Sequence, residues 1–391
     1  MSYMTTAAMF LISTIASIFI AMCTAHLLSK SRLKITNPDG SRFGTIDGLR
    51  GFLSLLVVVH HYYIFYFWYT TDIWEKPAID FIYKFGKMSV CVFFMITGFL
   101  FIGKILVAQS VNWFELYRSR FYRIVPLYLL VVFFTILYSF LHTELNVNVP
   151  YSYLFKELVA WFVFIGNTVN GYSDSIKITA GVTWTLKYEW FFYISLPVVC
   201  FFIKNRLSVL LVFLILVIAI LNVTIPFGME MIYLLYFLFG GVINYLHMKY
   251  NDCYKLINVM KSRKASFLSI ACIVYLLFSG SKSTSFDMSV CIFLFFTLVV
   301  FGNDIFGVLS MKSSKLLGEV SYSIYLTHGI IIYTIGHLVF NEGNFPTFDV
   351  YVICMPLAII FIVFLSTITF KYIEKTSIEY GKRRKNKLNK L

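Results

Sequence analysis

The chain has 391 residues, of which 59% are apolar and only 13% charged, with a net charge of +14. Soluble domains keep about a quarter of their residues charged, so a soluble globular fold is excluded and a polytopic membrane protein is indicated. The basic excess follows topology instead of forming a nucleic-acid patch: with residue 1 outside, 26 of the 33 Lys/Arg fall on inside segments, as the positive-inside rule requires.

Runs of about 20 apolar residues suffice to cross a bilayer. They occur at 4–28, 46–66, 86–108, 124–142, 183–203, 207–225, 230–248, 265–281, 288–308, 316–340 and 350–372. The expected fold is therefore all-α, a membrane helix bundle of about ten core helices plus one extra N-terminal helix. The first run has no basic segment before it and is followed by Lys30, Arg32 and Lys34, the pattern of an N-out anchor. This divides the chain into an anchor and basic loop at 1–44, a membrane domain at 45–372 and a basic tail at 373–391. The seven Cys show no CxxC spacing, which argues against a disulfide framework or a zinc site. No Walker loop, HExxH, GxSxG or GxGxxG occurs.

The second run, Thr45–Tyr63, carries Asp47 and Arg50 near one end and His60–His61 near the other. Charge inside hydrocarbon costs roughly 2.5–3.5 kcal/mol and marks function by default. Eleven residues separate Arg50 from His61, so at about 100° per residue they return to within roughly 20° of one helix face, about 16 Å apart along the axis. His60 lies about 80° off that face. In the third run Ser89, Thr97 and Gly98 are small residues in a Phe-rich helix, suited to close helix packing.

The junction Tyr117–Tyr128 places Arg120 and Arg123 three apart, as helix-surface neighbours, with Pro126 suited to the first turn of the next span. Forked guanidiniums suit phosphates; ordinary anchoring explains them equally well. Counting 155–168 as a span would invert every later loop, so 143–182 reads as an external region with 155–168 interfacial or re-entrant. In the stretch Val182–Pro197, Glu189 and Tyr193 are four apart and share a face, near Trp184. A carboxylate there is able to orient an imidazole such as His61. In Leu317–Gly329, Ser321 and His328 are seven apart and nearly eclipsed, with Tyr322 and Tyr325 alongside. His26, His142, His247 and His337 stand outside these groups. The tail holds Lys382–Lys385, a stop-transfer anchor or a contact for anionic lipid.

Taken in order, these segments resemble the acyltransferase-3 family of integral membrane acyltransferases. The resemblance is carried by Arg50 and His61, Gly98–Leu100, Arg120, Arg123, Pro126 and Tyr128, then Trp184, Leu186, Glu189, Phe192, Tyr193 and Pro197, and lastly Ser321, Tyr322, Tyr325, Leu326 and His328. It spans roughly 45–372. The resemblance implies a surface-glycan O-acetyltransferase of the bacterial cell membrane, with its C-terminus cytoplasmic. Such a protein takes acetyl from acetyl-CoA, needs no metal, and acylates a hydroxyl of an extracytoplasmic glycan or lipid-linked sugar.

On that reading His61 and Glu189 are the catalytic pair, His61 as general base or as an acyl carrier. Arg50, Arg120 and Arg123 bind the CoA, and Asp47, Trp184, Tyr193, Ser321, Tyr322 and His328 support substrate and site. Two departures stand out: the extra N-terminal helix, and the lack of the C-terminal esterase-like domain that many members carry, which implies completion in the membrane domain or by a separate extracytoplasmic transferase. The competing class is a transporter or flippase of an envelope polysaccharide precursor, against which stands the lack of repeat symmetry.

Overall fold

The computed structural model describes residues 3–31, 33, 43–205, 224–225, 229–282, 285–339 and 345–388. Its helices are α1 (Tyr3–Lys30), α2 (Gly44–Thr71), α3 (Asp80–Val107), α4 (Trp113–His142), α5 (Tyr151–Phe162), α6 (Ser175–Ile178) and α7 (Trp184–Lys204). They continue as α8 (Met231–Tyr250), α9 (Tyr254–Met260), α10 (Arg263–Phe278), α11 (Phe286–Val300), α12 (Lys312–Glu319), α13 (Ser321–Val339), α14 (Phe348–Thr369) and α15 (Thr376–Leu388). A π-helical turn, Phe370–Lys375, joins the last two.

The chain is an all-α, multi-pass bundle, but the expected number of spans is corrected. Among the described residues seven helices are long and apolar enough to cross a membrane: α1, α2, α3, α4, α7, α8 and the continuous Phe348–Arg384 rod. The apolar runs at 265–281 and 288–308 fold as α10 and α11, of 16 and 15 residues. At 1.5 Å per residue these reach only about 24 and 22 Å, short of a hydrocarbon core of about 30 Å. The run at 316–340 breaks at Val320, which closes α12 before α13 begins. What remains, α13, opens on the mixed polar stretch Ser321–His328 and is not among the seven. The run at 207–225 lies outside the described residues except for Thr224–Ile225, a two-residue strand paired with Met229–Glu230.

Local chemistry sets the ends of the site helices. α2 carries Asp47 in its first turn and stops at Asp72, whose left-handed backbone turns its N–H back to Trp68 O, a common C-terminal closure. α4 starts where the Asn112 side chain accepts from the Glu115 N–H at 3.0 Å, a normal N-cap. Because α4 begins there, Pro126 stands inside a 30-residue helix and not in the first turn of a separate one. The Arg120–Arg123 pair is thus on the same rod as the span.

Packing brings α2, α3 and α13 together around the site, with α8 against α3 and α12 against α2. α1 is docked, not peripheral: it lies along α14, Ser13 Oγ donates to Val352 O at 2.6 Å, and Phe10 meets Tyr63 edge to face. α3 and α8 cross where neither helix has a side chain. A Cβ on Gly98 would fall 1.8 Å from Phe237 O, and one on Gly240 would fall 2.0 Å from Met95 O. Gly98→Val is accordingly expected to force the two helices apart at about 1–3 kcal/mol, read as a lowered Tm of the detergent-solubilised protein. An unchanged Tm would show that the crossing tolerates separation.

Candidate active site

Three cavities follow one another through the bundle. The first, about 620 Å³, lies beside Asp47, Arg50, Lys104 and His247. The second, about 320 Å³, is bounded by Arg50, Arg120, Arg123, Glu189, Glu319 and Tyr193. The third, about 280 Å³, is bounded by His60, His61, Trp74, Lys87 and Trp184. Arg50 and Leu100 border both the first and the second. Val90 and Tyr325 border both the second and the third. The Arg50–His61 face of α2 runs alongside this series, so one helix contributes a cation to its first two chambers and an imidazole to its last.

The imidazoles form a defined relay. His328, fully buried on α13, has Nδ1 3.1 Å from Ile324 O and Nε2 3.1 Å from His61 Nδ1. His61 Nδ1 is also 3.1 Å from Val57 O. A carbonyl only accepts, so in neutral rings His328 carries its proton on Nδ1 and its Nε2 accepts. His61 then carries its proton on Nδ1, shared between Val57 O and His328, and its Nε2 holds a free lone pair. His60 turns away, its Nδ1 2.9 Å from Ile82 O.

Glu189 does not hold His61. Its Oε1 accepts from Tyr193 Oη at 2.8 Å and from Thr97 Oγ1 at 3.5 Å, in the second cavity. The imidazole partner of His61 is His328, which sequence reasoning had placed among the supporting residues. The carboxylate expected beside the histidine stands instead among the arginines.

Those arginines are held differently. Arg50 lies 3.7 Å from Asp47 across one helical turn. Arg120 has its guanidinium 5.0 Å over the Phe101 ring and donates to Ser119 Oγ. Arg123 Nη2 lies 3.4 Å from Oε1 of Glu374, a completely buried carboxylate whose other oxygen accepts from Ser323 Oγ at 2.9 Å. Tyr322 and Ser321 act as ties: Tyr322 Oη donates to Ile124 O across to α4, and Ser321 Oγ to Gly318 O at the head of α13. Trp184 borders the third cavity with the Lys87 ammonium 5.5 Å from its ring.

Sequence reasoning missed Glu319, Glu374 and His247. Glu374 gave a usable signal: an acid at the end of an apolar run, in a segment that turns out to be π-helical, a geometry frequent at functional sites. His247 gave none; it reaches the first cavity only because α8 packs on α3, where its ring meets Phe43 at 5.6 Å. Among the described residues no group of three or more His, Cys, Asp or Glu side chains is arranged to hold a metal ion.

The chain is thus a polytopic helical bundle with arginines along its interior cavities and an ordered imidazole pair beyond them. Residues 43–368 match the family described as "Acyltransferase domain", and the chain belongs to this acyltransferase-3 family. It is also similar to "Putative acetyltransferase ORF330" of Acidianus two-tailed virus, 29% identical over 354 residues, covering 82% of this chain and 95% of the relative. No solved structure matches it.

Proposed function

We propose that the protein is an O-acyltransferase that moves an acetyl or similar acyl group from cytoplasmic acyl-CoA to a hydroxyl of an extracytoplasmic or lipid-linked glycan in a bacterial cell membrane. The observation that carries this reading is the succession of three adjoining cavities, from Asp47 and Lys104 past Arg50, Arg120 and Arg123 to His61. Its basic loops support a cytoplasmic donor side. Family membership and the acetyltransferase name of the viral relative support the acyl chemistry.

In the proposed reaction the CoA phosphates meet Arg50, Arg120 and Arg123 as charge-assisted hydrogen bonds, and Glu189 balances those cations when the donor is absent. The acceptor sits in the third cavity, with Trp74 and Trp184 as apolar faces for a sugar ring. Its hydroxyl gives its proton to His61 Nε2 as its oxygen attacks the thioester carbon. The new C–O bond forms, the C–S bond breaks, and the CoA thiolate leaves and recovers the proton from the imidazolium. His328 fixes the tautomer this requires.

The test is reconstitution into vesicles, with labelled acetyl-CoA on the side of the basic loops and an oligosaccharide acceptor on the other. Labelled, O-acetylated glycan supports the proposal. Transfer of unmodified glycan across the membrane without label would establish a transporter and overturn it.

A further inference from the structure

The second and third cavities are separated by very little. Among the described residues only Val90, on α3, and Tyr325, on α13, border both. Tyr325 is 8% exposed. Its hydroxyl is tied to the wall it faces: Thr185 Oγ1 lies 2.9 Å away and Val182 O 3.4 Å away. Thr185 borders the second cavity and Val182 the third, so the phenol is pinned at the boundary itself. Its ring lies 6.0 Å from Phe93, edge to face, and 6.3 Å from His328 one helical turn on. Tyr325 and Val90 thus form the shared border, or neck, between the arginine chamber and the chamber of His61.

We propose that Tyr325, with Val90, is the specificity-determining partition of the transfer path: its ring limits the cross-section of the acyl group able to reach His61. The proposal rests on the acyl-transfer reading above. A slim acetyl group fits past a tethered phenol, whereas a branched or aromatic acyl group must displace the ring. Pocket shape alone discriminates by about 10–200-fold per methylene-sized change. Removal of the phenol, or of the valine methyls, therefore widens the neck. Tyr325→Phe keeps the ring and loses only the tether to Thr185.

The experiment compares acetyl-, isobutyryl- and benzoyl-CoA as donors to one glycan acceptor, using full-length reconstituted protein, and reads the benzoyl-to-acetyl ratio of kcat/KM. Wild type is expected to favour acetyl. Tyr325→Ala is expected to raise the ratio about ten-fold or more, an effect at the lower bound for pocket discrimination. Val90→Ala is expected to move it in the same direction, and Tyr325→Phe to leave it within about two-fold of wild type, since the ring volume that sets the ratio is kept. A loss of packing alone would lower both rates without moving their ratio. If Tyr325→Ala gives no monodisperse protein, Val90→Ala carries the test from the other helix. An active wild type that uses benzoyl as readily as acetyl overturns the partition, as does a ratio unmoved in the variants. A wild type inert with every donor overturns the acyl-transfer reading itself, and the partition with it.

Discussion

His61→Ala is expected to lower acyl transfer by about 10²–10⁴-fold, the range supplied by a positioned general base, with the detergent-solubilised protein still folded. The side chain is only partly buried and its contacts are the Val57 carbonyl and the rings of His60 and His328, so truncation leaves a small void on the cavity side. His328→Ala separates the two roles in the pair. His328 reaches the reaction only through His61, by accepting the Nδ1 proton. Its loss leaves His61 present but free to adopt the other tautomer, so a fall smaller than that of His61→Ala is expected. His328→Gln, whose amide oxygen is able to accept the same proton, is expected to recover part of the rate. Initial rates with labelled acetyl-CoA measure all three. A His61→Ala protein of undiminished rate would remove the histidine from the chemistry, whether as base or as acyl carrier.

His61 also marks the limit of what sequence can deliver. The Arg50–His61 face was legible, because both residues lie on one regular helix and the angle between them follows from the pitch. So was Glu189–Tyr193, a contact of one helical turn that the structure realises at 2.8 Å. The pairing of His61 with His328 was not legible: it joins residues 267 positions apart, and periodicity carries no information about which faces of separate helices meet. The same limit misplaced Glu189, whose nearness to His61 was inferred from membrane depth alone.

Span counting failed for a different reason. Apolar composition does not mark where a helix ends, so the runs that hold α10, α11 and α13 read as crossings. Their lengths became visible only once Ser279, Phe301 and Val320 were seen to end or divide them. The helices that were legible as spans are those whose apolar runs are uninterrupted and long, such as α1, α3 and α4.

Glu374→Ala is expected to cost about 3 kcal/mol of stability, at the low end for removing one partner of a buried ion pair because Arg123 is a quarter exposed to the cavity. The deletion leaves the Arg123 guanidinium without its carboxylate and the Ser323 hydroxyl without its acceptor. Arg123→Met alone leaves the converse fault, a completely buried acid without its ion-pair partner. The double variant removes both charges, so its loss should be smaller than the sum of the two single losses, as coupling within an ion pair demands. Thermal unfolding in detergent closes this cycle, and strictly additive losses would mean that the 3.4 Å pair contributes nothing. The cycle also bears on function. If Arg123 binds donor phosphate, Arg123→Met/Glu374→Ala recovers stability without recovering donor affinity. If Arg123 serves only to neutralise Glu374, both return together. Binding of CoA to the reconstituted double variant therefore distinguishes a phosphate ligand from a structural counter-ion, and the π-helical turn that carries Glu374 from α14 toward α4 is the element on which either role depends.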